Sequence, residues 1–371
     1  MAVATKQSTN GHPGGGRVAA VPPVPFDHED LVVHRGTRSG RCVIVAIHST
    51  ALGPALGGAR LWHYETTEDA ARDALRLARG MTYKAAAAGL ELGGGKGVVC
   101  APDGPPPEGS ERRALLLDFA DLVESLEGRY ITAEDVGLSP DDLVVMSKGT
   151  DYLTGLPPSH GGTGDPSPFT ALGVEAAMRA CVRDHFGSAE IGDRVVAVIG
   201  LGHVGERLAR RLADTGAELI ASDIDEGKRG LARELGARWV DPTDALLVGC
   251  DVLAPCALGG AIHEANAKLL RASIVCGSAN NQLSTEGLDG TLRDRGVLYA
   301  PDFIVNAGGL IHVYREIRGY SEERARELAD GIEGTIDGVL EAAAARDTTP
   351  LRAAHELARE RLEAAREPAA A

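Results

Sequence analysis

The feature that most constrains this chain is the run Arg194-Val-Val-Ala-Val-Ile199, which leads into Gly200-Leu201-Gly202-His203-Val204-Gly205 and continues through Glu206–Ala213. A bare Gly-x-Gly-x-x-Gly arises easily by chance. Here it ends a β-branched apolar run and opens a helical one, and that context gives each glycine a task. The first allows a tight turn and the second lets a pyrophosphate reach the backbone. The third lets helix pack on strand, with the phosphates at the helix N-terminus. The next apolar run ends at Asp223, about 20 positions beyond Gly202. A carboxylate there binds the adenosine ribose 2′-hydroxyl and repels a 2′-phosphate, and no Arg or Lys follows before Lys228. The pattern predicts an NAD site built from Gly200, Leu201, Gly202, His203, Val204, Gly205 and Asp223.

Around this motif the chain is regular. Apolar runs at Leu219–Ser222, Val252–Ala254, Ile274–Gly277 and Val297–Ala300 alternate with helical segments, which means βαβ units and a parallel sheet covered on both faces. Upstream, strands are expected at Arg41–His48, Ala59–Tyr64, Gly97–Cys100 and Arg129–Ala133. Thr66-Thr-Glu-Asp69 opens a helix running to Ala88. The prolines of Asp103–Gly109 mark a surface loop, and the Gly/Pro-rich stretch Gly155–Pro168 marks a hinge. From Glu322 onward the chain is helical, with a break at Thr348-Thr-Pro350. The fold class is α/β with two domains: a first α/β domain at 26–158 and a Rossmann NAD-binding domain at 159–325. Helices at 326–371 return across the cleft. Residues 1–25, rich in Gly, Pro, Thr and Ala, are expected to be a disordered tail.

Composition narrows the function classes. In 371 residues, 53 acidic side chains outnumber 38 Lys and Arg, for a net charge of −15. Such a surface repels phosphate backbones, so nucleic acid is not an expected partner. No stretch reaches the ~20 apolar residues of a membrane span. The six cysteines form no Cys-x-x-Cys pair and sit largely in apolar runs, as small core residues of a reducing, cytoplasmic compartment do. None of the eleven histidines pairs with a carboxylate at a metal-binding spacing, and no metal is expected.

Three charged residues of the first domain stand out. Leu77, Met81 and Lys84 share one helical stripe, so Lys84 is either a snorkelling lysine or a buried one with a task. Lys96 lies in Gly93-Gly-Gly-Lys-Gly97, which departs from a phosphate loop at Leu90 and Gly97. The glycines suggest backbone packed very close to something, with Lys96 directed into a crowded space. Asp135 follows a strand and by itself reads as a turn carboxylate.

Together these residues resemble a known family. Gly53-Pro-Ala-Leu-Gly-Gly58, Gly80-Met-Thr-Tyr-Lys84, Gly93-Gly-Gly-Lys96, Thr132-Ala-Glu-Asp135-Val-Gly and Asp165-Pro-Ser-Pro-Phe-Thr170 are similar to segments of the glutamate/leucine/phenylalanine/valine dehydrogenases. So are Ala254-Pro-Cys-Ala-Leu-Gly-Gly260 and Pro301-Asp-Phe-Ile-Val-Asn306-Ala-Gly-Gly309, and the resemblance runs in order from about residue 27 to the C-terminal helices. It implies reversible NAD-dependent oxidative deamination of an L-amino acid to a 2-oxo acid and ammonia, by a homo-oligomer assembled through the first domain. By the same resemblance Lys84 holds the substrate carboxylate, Lys96 activates water and Asp135 exchanges protons with the amino group. Leu56, Gly57, Gly58 and Ala133 line the substrate. Asn306 positions substrate and nicotinamide, while Ser167, Thr170, Ala257 and Asn281 contact the cofactor. A lysine that acts as a base must be neutral part of the time, and burial beside a second cation such as Lys84 lowers its pKa.

The glutamate enzymes of that family carry a lysine for the substrate γ-carboxylate where this chain has Leu56. Leucine cannot pair a carboxylate, and burying one unpaired is costly, so an apolar amino acid is expected. Ala133-Glu134 resembles the leucine type, whereas Pro301-Asp-Phe303 and Leu310-Ile-His312 resemble the phenylalanine type. Leucine, valine or isoleucine is the first reading and phenylalanine the second. A non-catalytic sensor of NAD or an amino acid keeps the fold too, but would have no need of Lys84, Lys96 and Asp135. A purely structural subunit would need neither a charged lysine among glycines nor a carboxylate placed for a ribose.

Overall fold

The computed structural model describes residues 27–366; the tail expected at 1–25 lies outside them. The strands are β1 (Asp30–Arg35), β2 (Cys42–Ser49), β3 (Ala55–Trp62), β4 (Gly93–Cys100), β5 (Tyr130–Glu134), β6 (Val195–Ile199), β7 (Glu218–Ser222), β8 (Arg238–Trp239), β9 (Cys250–Pro255), β10 (Ala272–Val275) and β11 (Leu298–Tyr299). The helices are α1 (Thr67–Ala87), α2 (Gly109–Glu124), α3 (Pro140–Met146), α4 (Ser167–Phe186), α5 (His203–Thr215), α6 (Arg229–Glu234), α7 (Glu264–Ala267), α8 (Leu288–Asp294), α9 (Asp302–Val305), α10 (Gly308–Arg318), α11 (Glu322–Asp330), α12 (Ile332–Ala345) and α13 (Pro350–Arg366).

Two sheets result. The second is wholly parallel in the order β11-β10-β9-β6-β7-β8, so the chain reverses direction of travel at the β6/β9 seam. In such sheets ligands bind at the carboxyl ends of the strands beside that switch point, where Gly200 to Gly205 lie. The first sheet is mixed, in the order β1-β2-β4-β3-β5, with β2 antiparallel to β4 and β3 parallel to both β4 and β5. Thr66 caps α1 through the Asp69 amide, as its sequence suggests.

β1 and β8 have no counterpart in the sequence reading, and two further strands begin earlier than it places them. β3 starts at Ala55 and β4 at Gly93, four residues earlier than expected in each case. Glycine disfavours strands because it contributes no side-chain packing. Here that absence is what the packing requires. A Cβ on Gly57 would strike the Gly95 carbonyl, one on Gly94 the Thr82 backbone, and one on Gly97 the Phe119 ring. Lys96 is thus part of a central strand, buried at 6% exposure, and not of a flexible loop.

The α1 stripe also needs redefinition. Ala70, Ala74, Leu75 and Ala78 pack on β2 and β4, whereas Met81 and Ala85 join the core beneath the second, parallel sheet. Lys84 sits on that second flank. α13 closes over it, with Ala358 and Leu362 against Ala86, and the Arg361 guanidinium donates 2.7 Å to the Ala86 carbonyl. Among the described residues no helix is long and apolar enough to cross a membrane.

A methyl group at position 95 has no room, since it would come within 2.6 Å of Tyr130 Cδ2. Gly95→Ala is expected to cost at least about 1–3 kcal/mol of stability through overpacking, measured as a lower urea midpoint.

Candidate active site

The site begins with strand register. The constant pairing from Leu56↔Gly94 to Ala59↔Gly97 sets Gly58 beside Lys96, and Gly58 pairs on its other side with Ala133. Lys96, Gly58 and Ala133 therefore form a row across three strands, and the glycine leaves the middle of the row open. One residue past β5, Asp135 turns back over that row. A Cβ on Gly58 would approach the Asp135 Cβ at 2.9 Å. The Lys96 amine donates to Asp135 Oδ2 at 2.6 Å. The same oxygen accepts from Arg60 Nε at 3.2 Å, and Arg60 also donates to Asp73 at 2.8 Å.

The second part comes from the other half of the molecule. Lys84 Nζ donates to Asn306 Oδ1 at 2.6 Å, and Asn306 Nδ2 donates to the Ser278 carbonyl at 3.1 Å and to Asn280 at 2.7 Å. Asn306 lies between α9 and α10, so this bond ties α1 to the carboxyl end of the second sheet. Asp302, one turn earlier, is buried beneath it and accepts from the Gln282 amide at 2.8 Å.

Burial and charge tune these groups. Burial, aided by the Arg60 charge, holds the Lys96 amine below the usual lysine pKa even though Asp135 favours its charged form. Burial, together with the Lys96 charge, brings Lys84 down to about 8, with Asp302 opposing. Burial alone would raise Asp135, but Lys96 and Arg60 outweigh it and keep the carboxylate below its usual range. Asp302 shifts the other way, raised by burial.

A cleft of about 680 Å³ opens between the two sheets. Ala133, Glu134, Asp135 and Val136 form one wall, Asp165 to Ser167 form the crossing, and His203 and Val313 face them. The hinge stretch thus borders the cleft. Thr170 lies one turn inside α4, its hydroxyl returned to the Pro166 carbonyl at 3.2 Å. Leu56 does not border the cleft: at 2% exposure it is sealed into the core with Ala85, Leu90 and Leu92.

The glycine loop has a dinucleotide cradle's form. Gly200 holds φ at +100°, which a side chain would strain, and a Cβ there would strike Ala257. A Cβ on Gly205 would strike the Gly200 carbonyl, so α5 packs directly on the turn. In front of Gly202 nothing lies within 4 Å, which leaves open the place a pyrophosphate would take. Leu201 and Val204 are drawn inward, and His203 faces the cleft. Asp223 accepts from the Leu201 amide at 2.6 Å and the Asp225 amide at 2.8 Å, which sets the carboxylate beside the loop. Asn281 adopts a left-handed φ of +51° and borders a smaller cavity behind Asp302.

Residue patterning left Arg60, Asp73, Asp302 and Val313 unmarked. Arg60 carries the only available signal, a cation two positions after Gly58 and on the same strand face. The others become visible only when distant segments meet.

Both halves of this arrangement have counterparts among known proteins. Residues 29–152 match the dimerisation domain of Glu/Leu/Phe/Val dehydrogenases, and residues 222–369 match the glutamate/leucine/phenylalanine/valine dehydrogenase model. The chain belongs to this family. It is an amino-acid dehydrogenase, an oxidoreductase. It is 44% identical to a leucine dehydrogenase of Bacillus subtilis (strain 168) over 339 residues, covering 91% of this chain and 92% of that one. A valine dehydrogenase of Streptomyces virginiae is 42% identical over 343 residues, 91% and 95% of the two chains. The crystal structure of L-tryptophan dehydrogenase from Nostoc punctiforme superposes with a TM-score of 0.81 at 38% identity, covering 92% and 97%.

The depressed Lys84 has a measurable consequence. Between about 8 and its ordinary 10.5 the unfolded chain holds a proton the folded chain has released, so wild-type stability gains with rising pH there. Unfolding free energies of wild type and Lys84→Met should differ by a constant below pH 8, then diverge in favour of wild type toward pH 10.5.

Proposed function

We propose that this enzyme oxidatively deaminates an apolar, branched-chain L-amino acid to its 2-oxo acid and ammonia with NAD. The observation that carries this reading is the Lys96–Asp135 contact of 2.6 Å, set in the wall of the interdomain cleft with Lys84 held from the opposite half.

Lys84 binds the substrate carboxylate, and its exchangeable bond to Asn306 holds the amine in place until substrate takes it. Lys96, kept partly neutral, removes a proton from the water that attacks the imine carbon. Asp135 shares a proton with Lys96 across one short bond and passes it to or from the departing nitrogen. Gly200 to Gly205 and Asp223 would hold the dinucleotide, with Ser167, Thr170, Ala257, Asn281 and Asn306 toward its nicotinamide end. When bound, the cofactor supplies the hydride acceptor. Closure of the cleft expels water from around these charges, which strengthens their interactions.

The substrate reading rests on side chains. Ala133, Val136 and Val313 give the cleft apolar walls, and no Lys or Arg stands among its lining residues. A substrate γ-carboxylate would find no partner there. Phe303, which resembles the phenylalanine type in sequence, stacks against His355 away from this cleft, with ring centroids 5.0 Å apart. The leucine and valine dehydrogenases named above support the branched-chain reading. The division at residues 26–158, 159–325 and 326–371 is proposed as the set of bodies that move in closure. The match of residues 29–152 to a dimerisation domain supports a homo-oligomer assembled through the first sheet.

The test is NADH formation at alkaline pH with L-leucine, L-valine, L-isoleucine, L-phenylalanine, L-tryptophan and L-glutamate, repeated with NADP. Leucine or valine with NAD is expected to lead. Phenylalanine or tryptophan in first place would overturn the branched-chain assignment, and silence throughout with NAD bound would make the chain a sensor. Separately, Lys96→Ala should lower kcat by about 10²–10⁴-fold, the worth of a general base, while NAD affinity measured by fluorescence titration is retained. Near-normal turnover would remove Lys96 from the mechanism.

A further inference from the structure

The charged pair at the cleft wall has a third member. Arg60 projects from β3 on the same face as Gly58, and its guanidinium spans two carboxylates. Nε donates to Asp135 Oδ2 at 3.2 Å and Nη1 to Asp73 Oδ2 at 2.8 Å. Asp73 is itself held by the Tyr64 hydroxyl at 2.7 Å and by Arg76 at 2.8 Å. The brace therefore runs from the α1 surface inward to the oxygen that receives the Lys96 amine.

We propose that Arg60, braced by Asp73, is a positioning residue of the reaction: it fixes the Asp135 carboxylate on the Lys96 amine and sets the balance of charge around that amine. The inference rests on the assignment of Lys96 as the base. Two features separate this arrangement from an ordinary surface ion pair. The planar fork holds two carboxylates at once in a fixed geometry, which the single ammonium of a lysine does not impose. Its inner contact falls on the Oδ2 already engaged by Lys96, so any shift of the guanidinium moves the Lys96–Asp135 pair.

The electrostatic role follows from what surrounds each group. Lys96 on β4 is faced by Asp135 beyond β5, by Arg60 from β3, and by Asp73 and Lys84 from α1. Asp135 is faced in addition by Glu134 and by the buried Tyr130. Burial lowers the Lys96 pKa most, and of the charges around it Arg60 lowers it further while Asp135 and Asp73 raise it. Removing Arg60 thus deprives Lys96 of a repelling cation and lets it hold its proton to higher pH. Removing the Asp73 charge acts in the opposite direction. A substitution that only loosened the fold would not move the two variants in opposite directions.

The experiment measures kcat/KM for oxidative deamination against pH in Arg60→Gln, Arg60→Lys, Asp73→Asn and Lys96→Ala, with thermal unfolding of each as a check on folding. Arg60→Gln is expected to lower kcat by about 10²-fold through misplacement of the pair and to move the rising limb to higher pH. Asp73→Asn moves that limb to lower pH. Arg60→Lys, which keeps the charge but loses the fork, leaves the limb near its wild-type position and retains more activity than Arg60→Gln. An unmoved limb in both Arg60→Gln and Asp73→Asn, with Lys96→Ala inactive, overturns the inference and leaves the base assignment standing. Normal turnover by Lys96→Ala overturns both. Should Arg60→Gln fail to fold, the Asp73→Asn limb decides: a shift to lower pH supports the proposal and its absence overturns it.

Discussion

Close backbone packing of a glycine-rich strand is the constraint on which the rest depends. Gly94, Gly95 and Gly97 on β4 meet Thr82 of α1, Tyr130 of β5 and Phe119 of α2 at distances that admit no side chain. Only because these neighbours press so closely is Lys96 held within a buried central strand. A lysine there cannot reach bulk water by rotating its side chain, so it must find its partner inside. Asp135 is that partner, brought over the row by the short turn after β5.

Burial of so many charges is expensive, and the structure offsets it by pairing. Lys96 meets Asp135, Arg60 meets Asp135 and Asp73, and Lys84 meets Asn306 with Asp302 beneath. The pairing is deliberately incomplete at the lysines. Lys84 has a neutral amide, not a carboxylate, as its hydrogen-bond partner. Lys96 shares its carboxylate with Arg60, which weakens its hold on the proton. Burial lowers both lysine pKa values most, and the charges of Lys96 on Lys84 and of Arg60 on Lys96 lower them further.

The two halves of the molecule meet along one flank of α1. α1 carries Lys84 on the flank that faces the core of the second sheet, and α13 crosses back to cover the same helix at Ala86. Asn306, at the junction of α9 and α10, is held through Ser278 and Asn280 at the ends of the parallel strands. One side chain, Asn306, therefore links Lys84 of the first half directly to the carboxyl end of the second sheet.

Much of the architecture was legible in the sequence because its signals are local. The strand ending at Ile199, the glycine turn, the Thr66 cap and the break before Pro350 each depend on residues within a few positions of one another. Lys84, Lys96, Asp135 and Asn306 could be singled out by type and motif. What sequence could not decide is how they meet. The early start of β4, the Arg60 brace from Asp73 to Asp135, the burial of Leu56 away from the cleft and the Lys84–Asn306 bond all join segments distant in the chain. The Gly93–Gly97 run looks like a loop by propensity, since glycine offers a strand nothing to pack. Tertiary structure reverses that preference because the surrounding strands and helices leave room for backbone alone.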